Sequence, residues 1–488
     1  MRFAGAAVDS RIIQRGELFV ALKGERTDGH RFISAAVQAG AAAVLCAHPD
    51  PYAQSRGVPQ LVVRDPLEVL QQLAHRHLLH QPYTRVVGIA GSNGKTSVKE
   101  ATAVLLAHMA PTLRPVGSFN TEVGVPLTLL RLSPDHRFAV LEMGAQRVGE
   151  IALLCRIAPP HVGVVTVVGP EHLEFFGSMA NVIRAEGEVV AALGEDGIAI
   201  LNDDDREVRK MARRTKGRVV TYGRRPGVDV RARHIAGDPL TGLRFTLSYG
   251  GEKARVHLSI PGEHAVSVAL AAAAVALSFD MNVQTVAAGL GELRPAKRRG
   301  EIKQGINGST LVDDSYNANR QSALAALALL RDAQRPRGGR RWFIFGDMLE
   351  LGRFSKQEHA AVGAAAPAID ELVLVGAEVR AAADAALAAG MPAERVHLFA
   401  APLERPEELA QARLAAAAYV RDNVRPGDLV LVKGSLGVGM DAIVTELQER
   451  GKAGRARADI GARLQILGQM GQMSRQPSNG SARASSRP

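Results

Sequence analysis

Six consecutive residues, Gly91-Ser92-Asn93-Gly94-Lys95-Thr96, have the types and order needed to hold a phosphate. Small residues leave the backbone N–H groups at a helix start free to surround phosphate oxygens. Lys95 is then placed to reach the β- and γ-phosphates, and the Thr96 hydroxyl to take a position on Mg²⁺. The eight-residue form of such a loop needs glycine at position 89, which is Ile89 here, so the pattern is the shorter GxxGK[ST]. Six residues also occur as an ordinary strand–helix turn, so the flanks decide. Arg85 to Ala90 is a short β-rich apolar run, and a helical pattern begins near Lys95. That context makes nucleotide binding the expectation.

Two other places carry chemistry. Glu142 closes the apolar run RFAVLEMG. A carboxylate at the C-terminal end of a parallel strand faces the ligand crevice; the alternative is a surface acid at a strand end. The segment Gly169-Pro170-Glu171-His172-Leu173-Glu174 follows the run HVGVVTVV. His172 is open to three readings: a metal ligand, a group orienting phosphate, or an inert loop histidine.

The elements that must position these residues alternate along the chain. Strand-like runs (RVVGIA, FAVLEM, HVGVVTVV, GIAILN) are separated by helix-length segments, which predicts a parallel sheet covered by helices. Before them, to about Pro82, lie GELFVAL, AAAVLC and PQLVVR. From Pro295 the runs TLVDDSY, RWFIFGD, ELVLVG and DLVLVKGS predict a second α/β, Rossmann-like unit. Beyond Glu449 the chain is rich in Gly, Arg, Ser and Gln and is expected to be disordered. The expected divisions are 1–83, 84–294, 295–449 and a basic tail, 450–488.

Composition bounds the rest. A chain of 488 residues suggests about three domains. Aromatics are only 4%, so the cores must rely on Ala, Val, Leu and Ile. Two cysteines, Cys46 and Cys155, exclude a disulfide framework and fit a reducing compartment. Asp9 and Arg11 precede any apolar run of signal-peptide length. The longest apolar stretch, Ala265 to Phe279, is shorter than the roughly 20 residues of a membrane span and reads as a buried helix. A soluble cytoplasmic protein is expected. Of the net charge of +11, the tail from Gly451 carries +6. That favours a solvated appendage over a nucleic-acid protein.

Taken in order, these pieces resemble the Mur ligase family, ATP-dependent amide-forming enzymes of peptidoglycan synthesis. The resemblance spans about residues 8 to 449. It is carried by DSRIIQRGELFVALKGERTDGHRFI, GIAGSNGKTSVKE, FNTEVGVPLTLLRL, LEMGAQRVGEI, GPEHLEFFGS, LVDDSYNANRQSALAAL, FGDMLELG and LVKGS. The phosphate loop is common to the whole family and to folylpolyglutamate synthase. DDSYNAN, GDMLELG and the N-terminal block point to its D-alanyl-D-alanine-adding branch.

The resemblance implies a three-domain α/β architecture with a central P-loop parallel sheet and a C-terminal Rossmann-like domain. It implies ATP and Mg²⁺ as cofactors, UDP-N-acetylmuramoyl-tripeptide and D-alanyl-D-alanine as substrates, an acyl-phosphate intermediate, and a monomer. Gly91, Ser92, Asn93, Gly94, Lys95, Thr96 and Ser97 match the nucleotide cradle, with Asp314 and Asn317 as further nucleotide contacts. Asn319 shares their loop. Thr96, Glu142 and His172 match the magnesium site. Lys95, His172, Glu186 and Arg299 match positions of catalytic importance, Arg299 as a phosphate contact. Ser10, Arg11, Lys23, Asp28 and His30 match the block that holds the UDP-sugar, with Asn120 and Thr121 from the central domain. Asp28-Gly29-His30 also reads simply as a turn.

Three departures from the family pattern stand out. Glu186 occupies the position of a lysine that the family carbamylates. The expectation is that it supplies a carboxylate unmodified; the alternative places it on the helix surface. The HNxxN-type adenine segment reads His264-Ala265-Val266-Ser267-Val268, without either amide side chain. The KGSR-like loop reads Lys433-Gly434-Ser435-Leu436. Lys433 and Ser435 are expected to contact the incoming dipeptide, and the missing arginine leaves the acceptor open. The alternatives are therefore a sister Mur-type or folylpolyglutamate-type ligase with another acceptor, a catalytically silent Mur-like binding protein, and a nucleic-acid-dependent ATPase.

Overall fold

Three sheets divide the chain in the computed structural model, which describes residues 3–24, 27–115, 117–335 and 338–449. The tail expected at 450–488 lies outside the described residues. The first sheet has four parallel strands in sequential order: β1 (Ala6–Ala7), β2 (Leu18–Val20), β3 (Ala43–Cys46) and β4 (Gln60–Val62). β2 and β3 are apolar at every position because both faces are covered. Phe19 and Val44 pack with Ile33 and Ala36 on one face, and Leu18, Val20 and Leu45 pack with Leu70 and Leu127 on the other. Leu70 belongs to the helix Pro66–Leu79, which starts where the Asp65 carboxylate accepts from the N–H groups of Leu67 and Glu68. Ala74 and Leu78 of the same helix enter the central core beside Val125 and Leu129. The helix is thus shared between the first sheet and the next domain.

The central sheet has nine strands: β5 (Arg85–Ala90), β6 (Thr112–Leu113), β7 (Phe138–Glu142), β8 (Val162–Val165), β9 (Ile198–Asn202), β10 (Arg218–Gly223), β11 (Val230–Asp238), β12 (Gly242–Tyr249) and β13 (Glu252–Leu258). Their order is β13-β12-β11-β10-β9-β8-β5-β7-β6. The strands from β6 to β11 are parallel, and β11, β12 and β13 are antiparallel. β5 lies between β7 and β8, so its carboxyl end opens into the middle of the crevice. The apolar stretch expected to be a buried helix is one, His264–Ser278, packed beneath this sheet with its alanines fully covered.

Strands β10 to β13 have no counterpart among the runs picked out from the sequence. On β12 the buried Leu243, Phe245 and Leu247 alternate with Arg244, Thr246 and Ser248. Half-buried strands of this kind lack the continuous apolar run that marks a central parallel strand.

The third sheet runs β14 (Glu301–Gln304), β15 (Thr310–Asp314), β16 (Arg341–Gly346), β17 (Glu371–Val375), β18 (Val396–Phe399) and β19 (Leu429–Lys433). Its order is β14-β15-β19-β16-β17-β18, parallel except for the β14–β15 pair. Because β19 inserts between β15 and β16, Asp314 and Lys433 are register partners at the carboxyl edge. Among the described residues no helix is long and apolar enough to cross a membrane.

Candidate active site

The phosphate-loop motif joins β5 to the helix Lys95–Ala107, as its flanks required. Gly91 and Gly94 have φ of +123° and +82°, a region that glycine enters without strain. A Cβ at Gly91 would also stand 2.1 Å from Thr166 Oγ1. The loop is tied to the end of β8: Thr166 Oγ1 donates to the Asn93 carbonyl, and Ser92 N–H donates to the Val167 carbonyl (2.7 Å). Ser92 Oγ accepts from Gly169 N–H (2.9 Å).

Lys95 turns its ammonium back over this loop, donating to the Gly91 carbonyl at 2.6 Å and to Glu171 at 3.3 Å. Burial pulls its pKa down, but the carboxylates of Glu171, Glu186 and Glu142 outweigh burial and hold it above the ordinary lysine value. Glu186 is only 3% exposed, which excludes a helix-surface position. From the end of the helix Met179–Glu186 its carboxylate accepts the Gly91 N–H from beneath the loop. Burial pushes its pKa up to about 7, against the pull of Lys95.

Glu142 ends β7 and is buried, not a surface acid. Its two oxygens accept from Thr96 Oγ1 (2.8 Å) and Asn120 Nδ2 (3.0 Å). Arg299 reaches across from the C-terminal side to donate to Thr96 Oγ1 at 3.0 Å, its guanidinium 4.1 Å above the Tyr316 ring. Mg²⁺ takes oxygen ligands and keeps several waters or phosphate oxygens. The adjacent Thr96 and Glu142 oxygens fit such an ion. His172 engages carboxylates through both ring nitrogens, Nδ1 with Glu350 and Nε2 with Glu171. Burial lowers its pKa, but these two acids raise it to about 9. Among the described residues no three His, Cys, Asp or Glu side chains form a metal cage. An ion at Thr96 and Glu142 would draw its remaining ligands from phosphate and water.

One cleft of about 1840 Å³ gathers most of the expected residues. Asn93, Lys95, Thr96, Ser97, Asn120, Thr121, Glu142 and His172 line it from the central domain, and Arg299, Asp314, Asn317, Lys433 and Ser435 from the C-terminal domain. Lys433 is buried with its ammonium on Asp314 (2.7 Å) and the Asn317 carbonyl (2.9 Å). Ser435 Oγ accepts from Leu349 N–H. Of the altered adenine segment, His264, Ala265, Ser267 and Val268 line the cleft, whereas Val266 is packed in the core.

The N-terminal residues do not line this cleft. Arg11 projects into solvent and pairs with Asp9 through Nε and Nη2. Asp28 caps the turn Gly29–Phe32 and holds His30 Nδ1 at 2.6 Å, while His30 Nε2 accepts from Ala47 N–H. Lys23 forms an isolated backbone bridge with Asp28.

Several residues at the site escaped the sequence reading. Glu171, which faces Lys95, sits beside His172 and was within reach of that reading. Glu350, Gln321 and Tyr316 are contributed by the C-terminal domain, and no local spacing signals them. Asn93 donates to Gln321 (2.9 Å) and accepts from Asn319 (2.8 Å), so the phosphate loop is bonded directly to that domain.

Three family models match the chain: the Mur ligase family catalytic domain over residues 2–78, the Mur ligase middle domain over 89–276, and the Mur ligase glutamate ligase domain over 298–436. The chain is 38% identical over 480 residues to the UDP-N-acetylmuramoyl-tripeptide–D-alanyl-D-alanine ligase of Mycobacterium bovis, covering 92% of this chain and 93% of the relative. A crystal structure of MurF from Acinetobacter baumannii superposes with a TM-score of 0.79 at 31% identity, covering 91% of this chain and 93% of that one. MurF ligase from Thermotoga maritima in complex with ADP superposes at 0.76 with 27% identity, covering 91% and 98%.

Proposed function

The chain belongs to the Mur ligase family, and from that premise we propose that it joins D-alanyl-D-alanine to UDP-N-acetylmuramoyl-tripeptide at the expense of ATP. The observation that carries this reading is the convergence, in one cleft, of Lys95, Arg299 and the Thr96–Glu142 pair from two domains. The chain that builds the cleft is similar over nine-tenths of its length to ligases of this kind.

The chemistry needs charge neutralisation and in-line positioning more than a protein nucleophile. The loop N–H groups and Lys95 receive the phosphates of ATP. Lys95 exchanges the Glu171 carboxylate for a phosphate oxygen. Arg299, held flat over Tyr316, steadies the transferred phosphoryl group. Mg²⁺, held by Thr96 and Glu142, supplies further neutralisation when bound. The terminal carboxylate of the tripeptide takes the γ-phosphoryl group, with ADP leaving. The amine of D-alanyl-D-alanine then attacks the acyl carbon, and inorganic phosphate departs as the amide forms. Closure of the C-terminal domain excludes water from the acyl phosphate.

Asp314 and Asn317 contact the nucleotide, and Lys433 and Ser435 receive the dipeptide carboxylate. Ser10, Arg11, Lys23, Asp28 and His30, with Asn120 and Thr121, hold the UDP-sugar. Glu186 supplies its carboxylate without modification. The protein acts in the cytoplasm, as a monomer whose own domains complete the cleft. The deciding measurement is phosphate release by purified protein. Release that needs both UDP-N-acetylmuramoyl-tripeptide and D-alanyl-D-alanine is expected. Release with a different acceptor reassigns the substrate, and ATP binding without turnover sinks the enzymatic reading. Added bicarbonate should leave the rate unchanged, because Glu186 needs no carbamylation. A strong bicarbonate requirement that is abolished by mutating some other lysine overturns this role for Glu186.

A further inference from the structure

Six non-glycine residues among those described adopt positive φ, and two of them, His172 (+50°) and Glu350 (+62°), face each other across the seam between the central and C-terminal domains. L-residues with side chains of this size enter the left-handed region at a cost, and such strain persists where the surroundings hold it in place. Here the surroundings do so on both sides. The Glu350 carboxylate meets His172 Nδ1, and the Glu350 carbonyl accepts the Glu174 N–H at 3.1 Å.

The segment carrying Glu350 is clamped to its own domain. The Asp347 carboxylate accepts from Ala377 N–H and Val379 N–H, Met348 N–H donates to His359 Nε2, and Leu349 N–H donates to Ser435 Oγ. Its tip therefore moves only when the domain moves. Beyond His172 the charges alternate: Nε2 lies 3.4 Å from Glu171, and Glu171 lies 3.3 Å from Lys95. An unbroken chain, Glu350–His172–Glu171–Lys95, joins the C-terminal domain to the phosphate-loop lysine.

We propose that Glu350 is a positioning residue that the C-terminal domain delivers to the site. Docked on His172, it fixes that ring against Glu171 and so sets the group that competes with phosphate for Lys95. When the domain swings away, His172 loses one of its two acids, and Glu171 loses the fixed ring that orients it while it holds Lys95. Arrival of Glu350 thus fixes the carboxylate that a phosphate must displace from the lysine only when the cleft is shut. The inference rests on the ligase reading for its activity measurement.

The test uses three variants of the full chain. Glu350→Gly removes the carboxylate and relieves the strained φ. A purely structural role predicts an unfolding temperature at or above that of the unaltered protein, with full turnover. The positioning role predicts that same temperature with kcat lowered ~20–100-fold, and KM for ATP within ~3-fold. Glu350→Gln keeps an oxygen for the Nδ1 proton and should recover to within ~10-fold of normal kcat. Glu350→Ala keeps the strain without the acceptor and should resemble the glycine variant in rate. Small-angle scattering supplies a readout independent of turnover: adding ADP should shrink the radius of gyration of the unaltered protein more than that of Glu350→Gly. Normal kcat in Glu350→Gly, or equal compaction in both proteins, overturns the proposal. If the unaltered protein compacts with ADP and Glu350→Gly does not, while neither releases phosphate with D-alanyl-D-alanine, the positioning role stands and the acceptor assignment fails.

Discussion

The phosphate loop and the seam between the central and C-terminal domains face each other across the same cleft, yet they are built on opposite plans. The loop is a fixed floor. Gly91 sits against Thr166, the Ser92 N–H is engaged by the Val167 carbonyl, and Glu186 supports the loop from below through the Gly91 N–H. The seam is a set of polar contacts: Asn93 with Asn319 and Gln321, Arg299 with Thr96, and His172 with Glu350. A hydrogen bond contributes only about 1 kcal/mol net between neutral groups and ~1.5–3 kcal/mol to a charged one, because water replaces it when it breaks. The seam can therefore part without exposing a core, whereas the floor cannot move without clashing. The difference teaches that one side of this site is built to stay in place and the other side is built to part.

The strongest way to break that comparison is Lys95→Ala. If the floor does the electrostatic work, kcat should fall by at least ~100-fold, because a charge-assisted contact to the transferring phosphoryl group is lost. Steady-state phosphate release measures this. Normal turnover would mean that the floor is only scaffold.

Glu186→Gln probes the floor differently. The folded protein holds the Glu186 carboxyl up at about 7, well above the ordinary carboxylate value, chiefly by burial. Between those two pH values the folded chain keeps a proton that the unfolded chain has lost. Stability from this group is thus full at low pH and lost as pH rises through about 7. Glutamine has no such proton. Without nucleotide, the variant should gain on the unaltered protein from about pH 4.5 upward, by as much as ~3 kcal/mol at pH 8. Its kcat should still fall, by ~10-fold, as the loop loses its charged support. Denaturant melts at pH 5 and pH 8 check the first part. A gap that does not change with pH removes Glu186 from the charge balance of the floor.

The same contrast explains what could be read before the fold was known. A phosphate loop is legible because backbone N–H groups do the binding and adjacent small residues free them. Gly91 to Thr96 spell that out in one stretch. Glu142 was legible because a strand end fixes where its carboxylate must point. The parallel strands announced themselves as apolar runs, while β10 to β13, with Arg244 and Thr246 facing outward, did not. The seam was hidden for another reason. Its partners lie 178 to 228 residues apart, and the pairings of Asn93 with Gln321 and of His172 with Glu350 leave no local signal. Glu350 looks like a loop acid and Gln321 like an exposed helix residue until the domains meet.

Gln321→Ala sharpens the seam's side of the comparison. Asn319 is a poor probe, because it also caps the helix Arg320–Asp332 and its loss would cost about 1 kcal/mol of stability. Gln321 lies within that helix without capping it, donates to the Val168 carbonyl and accepts from Asn93. Its truncation should leave the unfolding temperature within about 2 °C and raise KM for ATP by ~3–5-fold. Isothermal titration of ATP supplies the check. An unfolding temperature that drops along with binding would mean that the seam is structural packing and not a gate.

The smallest expected effect lies outside both regions and sets their scale. Arg11 is 85% exposed along its side chain and, among the described residues, is bonded to Asp9, two residues away. An exposed local ion pair adds little to a fold, since each partner is nearly as well solvated apart. Arg11→Ala should therefore leave the unfolding temperature unchanged. If Arg11 contacts the UDP end of the substrate, KM for UDP-N-acetylmuramoyl-tripeptide should rise by ~3–10-fold while KM for ATP and kcat stay fixed, the mark of binding lost equally from ground state and transition state. That separation is possible because the N-terminal sheet packs toward the central domain through the helix Pro66–Leu79 and the apolar side chains of Val123, Leu127 and Leu130, not through residues of the phosphate loop. A fall in kcat would mean that this surface residue is felt by the chemistry through a path that the packing does not provide.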